Sequence, residues 1–140
     1  MIPAKKSHAN QWPRRLARFP GFPITVEGKV DEGFGRSTAK WREDASPGKR
    51  ERLARLCKRL RRAPARVDHI SYQLLHRTAT ALIEAERFNA NTAVMLIHSF
   101  SGDRVGFKDY QAFMSLFGKW SKPNTVTNVG RRNGVQLYTS

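Results

Sequence analysis

An α/β domain follows from three features of the chain: period-two alternation at residues 24–30, amphipathic helical spacing at about 47–62 and 70–88, and an apolar run at residues 93–97. A small sheet of about three strands with three main helices is the expected architecture. At 140 residues the chain has the size of one domain with a modest core.

Residues 1–22 carry Lys5, Lys6, Arg14, Arg15 and Arg18 with no acidic residue, and Pro3, Pro13 and Pro20 interrupt them. No hydrophobic period is sustained there, so these residues read as a basic, largely irregular arm ahead of a single domain at 23–140. Ile24, Val26, Gly28 and Val30 then share one face of a strand, and Thr25, Glu27 and Lys29 share the other. After a glycine-containing turn at 31–35, Ser46-Pro47 supplies an N-cap and a first-turn proline for a helix. Its core stripe is Leu53, Leu56, Cys57 and Leu60, and Pro64 is placed to stop it.

The second helix uses Tyr72, Leu75, Ala79, Leu82 and Ile83 as its apolar stripe, with Asp68 as its expected cap. Residues 93–97 are apolar on both faces, as expected of a central strand covered on each side. A third helix at about 107–117 presents Tyr110, Phe113, Met114 and Phe117, with Gly118 placed to end it. Residues 121–133 read as loop, and a last strand is expected at 135–138.

Lysine and arginine outnumber aspartate and glutamate 26 to 11, for a formal charge of +15. A surplus of that size attracts polyanions, so nonspecific nucleic-acid binding is expected. The densest run lies between Lys49 and Arg66, where nine basic residues meet one acid, Glu51. On the first long helix Arg52, Arg55, Lys58, Arg59 and Arg62 form the expected phosphate-binding face. Trp12, Phe19, Phe22 and Trp41 could stack on bases, although core packing is the commoner use of such residues. His98 ends the central strand, where α/β sites gather, and His69 and His76 stand seven apart, as residues sharing a helix face would.

One cysteine excludes an internal disulfide, and Cys57 reads as a buried small hydrophobe in a reducing, cytoplasmic setting. No apolar run approaches the roughly 20 residues that span a bilayer, so no membrane partner is expected.

Glu27-Gly28-Lys29 places a carboxylate and an ammonium on one strand face, the pairing that metal-dependent phosphodiester cleavage uses. Four segments extend this pattern in order: Val26-Glu27-Gly28-Lys29-Val30-Asp31-Glu32, Ala45-Ser46-Pro47-Gly48-Lys49, Tyr72-Gln73-Leu74-Leu75-His76-Arg77, and Ala93-Val94-Met95-Leu96-Ile97-His98-Ser99. Together they resemble a bacterial family of unknown function that is similar to the PD-(D/E)xK nuclease-like superfamily, over about residues 24–118.

That resemblance implies a partial PD-(D/E)xK nuclease-like core with Glu27 and Lys29 as catalytic residues. It implies a divalent metal, magnesium or manganese, on Glu27 and Asp31, and supporting polar groups at Glu32, Gln73, His76 and Arg77. The superfamily places a helix and two strands, with its first metal carboxylate, ahead of the Glu-x-Lys strand. None of the 23 residues before Ile24 is acidic. The expectation is therefore an N-terminally incomplete or degenerate copy, weakly active or vestigial, with an open sheet edge that a second copy or another chain could complete. A non-catalytic basic binding module and an interaction subunit are the alternatives.

Overall fold

A computed structural model describes residues 24–29, 33–99, 104 and 106–140, with residues 25–29 as backbone. The arm at 1–22, with Trp12, Phe19 and Phe22, and the acidic positions Asp31 and Glu32 lie outside the described residues.

The order of elements is β1 (Ile24–Lys29), α1 (Thr38–Glu43), α2 (Pro47–Leu60), a 3-10 turn (Pro64–Arg66), α3 (Tyr72–Arg87), β2 (Thr92–Ser99), α4 (Phe107–Ser115), β3 (Thr127–Arg132) and β4 (Val135–Thr139). The class is α/β. The sheet has four strands in the order β1-β2-β4-β3, one strand more than the sequence suggested. β1 and β4 both run parallel to β2, and β3 returns antiparallel to β4.

Both parallel connections step across the sheet in the same direction, and a right-handed crossover then puts their helices on one face. The burial pattern agrees. Ala93, Met95, Val135, Leu137 and Thr139 are buried on the helical side, whereas Val94, Leu96, Gln136 and Tyr138 on the opposite side are only half-buried. The expectation of a strand covered on each side is corrected to one helical layer among the described residues.

α3 lies on the sheet and α2 lies on α3, which explains why α3 is buried beyond its predicted stripe. Leu74, Thr78, Ala81 and Ala85 are buried with Leu75, Ala79 and Leu82, while Ile83 faces solvent. Ser46 caps α2 as expected, its Oγ accepting from Lys49 N at 3.3 Å. Asp68 does not cap α3. Ser71 holds that position and donates to the Phe34 carbonyl at 2.6 Å, and Asp68 pairs with Arg42.

Three helices end in the same reciprocal turn, in which one residue beyond the helix takes a left-handed backbone. At α3 it is Asn89 (φ 52°), at α4 Gly118 (φ 66°) and at α2 Arg61 (φ 55°). The paired bonds at α2 are Arg62 N to Cys57 O at 2.9 Å and Arg61 N to Lys58 O at 3.1 Å. α2 thus stops at this turn, before Pro64 is reached.

Residues 121–133, expected to be loop, contain β3. Asn133 and Gly134 both have positive φ, the two-residue turn whose twist matches an antiparallel hairpin.

Candidate functional site

A cleft of about 400 Å³ opens at the carboxyl end of β2, within the usual size of small-ligand sites. Five segments of the described residues line it: the end of β2 from Leu96 to Ser99, Arg104 with the start of α4, residues 122–124, Ser140 after β4, and Phe34 ahead of α1. Gly106, at the start of α4, has φ +87°, and a Cβ there would stand 2.9 Å from Phe34 Cε2. Only glycine lets the helix start this close to Phe34. Tyr110 holds the floor through Thr139, its hydroxyl 2.9 Å from Thr139 Oγ1.

His98, Arg104 and Lys122 line this cleft, and no acidic side chain is among its described lining residues. Arg104 carries a left-handed backbone (φ 52°), and five described residues other than glycine do so. Three of the five are asparagines, the usual non-glycine choice; the others are Arg61 and Arg104. An L side chain there costs about 1–2 kcal/mol relative to glycine, so both arginines are retained at some expense to stability.

The Glu-x-Lys strand runs beside this cleft. In register Glu27 aligns with Ile97 and Lys29 with Ser99, two residues of the cleft wall. Ile24, Val26 and Gly28 align with Val94, Leu96 and His98. Gln73, His76 and Arg77 lie on α3 and are not among the residues lining the cleft. His76 instead stacks against Tyr72, with ring centres 5.9 Å apart. His69 precedes α3, so it shares no helix face with His76.

The basic face of α2 is largely engaged within the protein. Arg55 pairs with Glu51 and Arg59 with Glu86, each at 2.7 Å. Arg52 hydrogen-bonds Tyr72, whose phenol pKa is raised chiefly by burial and held back by that guanidinium. Arg62 donates from Nε to the Leu116 carbonyl at 2.9 Å. Lys58 is exposed.

Arg132 is a further basic residue that sequence reasoning passed over. It is 8% exposed and donates from Nε to Leu60 O at 3.2 Å. Both guanidinium groups lie over the Phe117 ring, Arg132 at 5.4 Å and Arg62 at 4.8 Å from its centre. Burial, then repulsion from Arg62 and Arg61, lowers the Arg132 pKa. What compensates these charges is the carbonyl ends of α2 and α4 and an aromatic face, with no carboxylate paired to them among the described residues.

Trp41 is a packing residue, stacked on Tyr72 at 4.1 Å with ring planes 8° apart. Cys57 is buried, and burial raises its thiol pKa. Among the described residues no three His, Cys, Asp or Glu side chains come together to hold a metal ion, and no helix is long and apolar enough to cross a membrane.

Fold and cleft together define a small α/β domain with one helical layer and a basic pocket at the carboxyl end of its parallel strands. The chain belongs to the family described as Domain of unknown function (DUF6946), which matches residues 17–140. No curated protein and no solved structure matches the chain.

Proposed function

We propose that this protein binds nucleic acid without sequence preference, holding the phosphate backbone at the carboxyl-end cleft. The observation that carries this reading is a cleft whose described lining includes His98, Arg104 and Lys122, in a chain of formal charge +15. Clustered cations of this kind attract a polyanion.

Divalent ions gather several oxygen ligands. The described cleft wall offers oxygen or nitrogen atoms on His98, Ser99, Tyr110, Asn124 and Ser140, and the side chains of Glu27 and Asp31 lie outside the described residues. Descent from a PD-(D/E)xK-type nuclease is the second reading. The parallel pairing that aligns Glu27 and Lys29 with the cleft residues Ile97 and Ser99 favours it.

Fluorescence anisotropy of a labelled oligonucleotide, read across a salt series, tests the binding. Changing Arg104 and Lys122 together to alanine is expected to reduce the log-log salt slope by about 1.4 on single strands, at about 0.7 per lost phosphate contact. An unchanged slope would remove the cleft from the binding surface. The same oligonucleotide incubated with magnesium or manganese tests descent with retained activity: cleavage by the wild type that disappears in Glu27→Ala would establish it, and intact oligonucleotide would leave binding alone.

A further inference from the structure

Helix α4 ends with Phe117 buried, Gly118 left-handed, and Lys119 N bonded back to Met114 O at 3.1 Å. This turn throws the next two side chains outward. Lys119 is exposed and Trp120 is 74% exposed, the greatest exposure of any large hydrophobic residue among those described. Leaving an indole in water forgoes roughly 1.5–3 kcal/mol of available burial, so its position calls for an explanation.

The helix end that precedes Trp120 is cationic. Phe117, three residues earlier, carries the guanidinium groups of Arg62 and Arg132 over its ring, and Arg61, in its left-handed turn, repels Arg132. On the other side Ser121 is buried, with its hydroxyl 3.3 Å from Thr127 Oγ1, and the segment then enters the cleft wall at Lys122. The buried Ser121 anchors the chain directly after Trp120. Only Ser121 separates Trp120 from Lys122, a span of at most about 7 Å between their Cα atoms.

We infer that Lys119, Trp120 and Arg61 form a single-strand recognition patch continuous with the cleft, in which an unpaired base stacks on Trp120 and flanking phosphates meet Arg61 and Lys119. The inference rests on the nucleic-acid reading above and narrows it to single strands. A stacking platform needs an unpaired base, because the faces of a paired base are covered by its neighbours. A lone exposed indole among cations suits this better than a bilayer surface, which is bound by the whole apolar face of an amphipathic helix.

The test uses the full chain, an oligothymidylate, a duplex of equal length, and vesicles of phosphatidylserine and phosphatidylcholine. Trp120→Ala is expected to weaken oligothymidylate binding by roughly five- to a hundredfold, with the salt slope and thermal midpoint unchanged. Trp120→Phe should recover most of the affinity. Changing Arg61 and Lys119 together to alanine should lower the slope by about 1.4. Wild-type affinity in Trp120→Ala would overturn the patch, and so would a preference for duplex or for vesicles. If the Arg104 and Lys122 variant still lowered the slope, the cleft reading would survive that failure; if wild type bound no oligonucleotide, both would fall.

Discussion

The outer face of α2 and its carboxyl end carry the same residue type in two different conditions. Along the face, Arg55 and Arg59 are matched by Glu51 and Glu86, and Arg52 is turned to Tyr72. At the end, Arg62 and Arg132 are balanced by carbonyl groups and the Phe117 ring, and Arg61 repels Arg132 beside them. A carboxylate neutralises an arginine towards a polyanion, whereas a carbonyl or a ring steadies it and leaves the full charge in place. Counting basic residues along a helix therefore overstates one surface and overlooks the other.

The comparison breaks most severely at Phe117, the ring shared by two guanidinium groups and packed edge-on to Phe113 at 5.2 Å. Phe117→Ala is expected to cost about 3–5 kcal/mol in urea denaturation, through a cavity and the loss of both cation contacts. Phe117→Leu should cost less, since most of the volume stays. A loss below about 1 kcal/mol in Phe117→Ala would show that the ring does not hold the arginine end together.

Arg61 sharpens the contrast in the opposite direction. Arg61→Gly should raise stability by about 0.5–1 kcal/mol, because glycine takes the left-handed turn without strain and one repelling charge leaves Arg132. A rise in thermal midpoint of about 2–5 °C would register this, together with weaker oligothymidylate binding. A fall in the midpoint would mean that the arginine side chain stabilises the turn.

The smallest effect belongs to the paired face. Arg59 and Glu86 are both about one-third exposed, so Glu86→Gln should change stability by less than about 1 kcal/mol. Freed from its partner, Arg59 becomes a phosphate ligand, and the salt slope should steepen by up to about 0.7 on single strands. An unchanged slope would place the helix face outside the path of the nucleic acid.

Elements with strong local signals were legible in the sequence. Ser46-Pro47 starts α2, Gly118 ends α4, and the apolar run at 93–97 is the middle of the central strand. α1 was not legible, since Thr38 is its only buried residue and its packing relies on Trp41 meeting Tyr72 across the fold. β3 was hidden because only Val129 marks its buried side as apolar; the other buried position is Arg132, a charge that reads as exposed until Leu60 O and Phe117 are known to receive it. The Asn133-Gly134 turn was the available signal for that hairpin.

The cleft was legible only at His98 and in the Glu27-x-Lys29 strand beside it. Arg104 and Lys122 come from segments separated from β2 and from each other in the chain. No local spacing links them; the crossover through α4 does. The exposure of Trp120 likewise follows from the turn at Gly118, which directs the chain outward, and leaves no periodic trace.

The sheet order also has a temporal consequence. β3 and β4 meet across the two-residue turn at Asn133-Gly134, a closure that takes microseconds once both are present. β1 instead pairs with β2 at a separation of seventy residues, Ile24 with Val94. Contacts that distant are formed slowly, because the chain must be ordered across the gap before the pairing repays it. During synthesis at about 5–20 residues per second, the Glu27-x-Lys29 strand therefore stands without its partner for about 4–14 seconds. The strand beside the cleft is made early and joins the sheet only once β2 has been made.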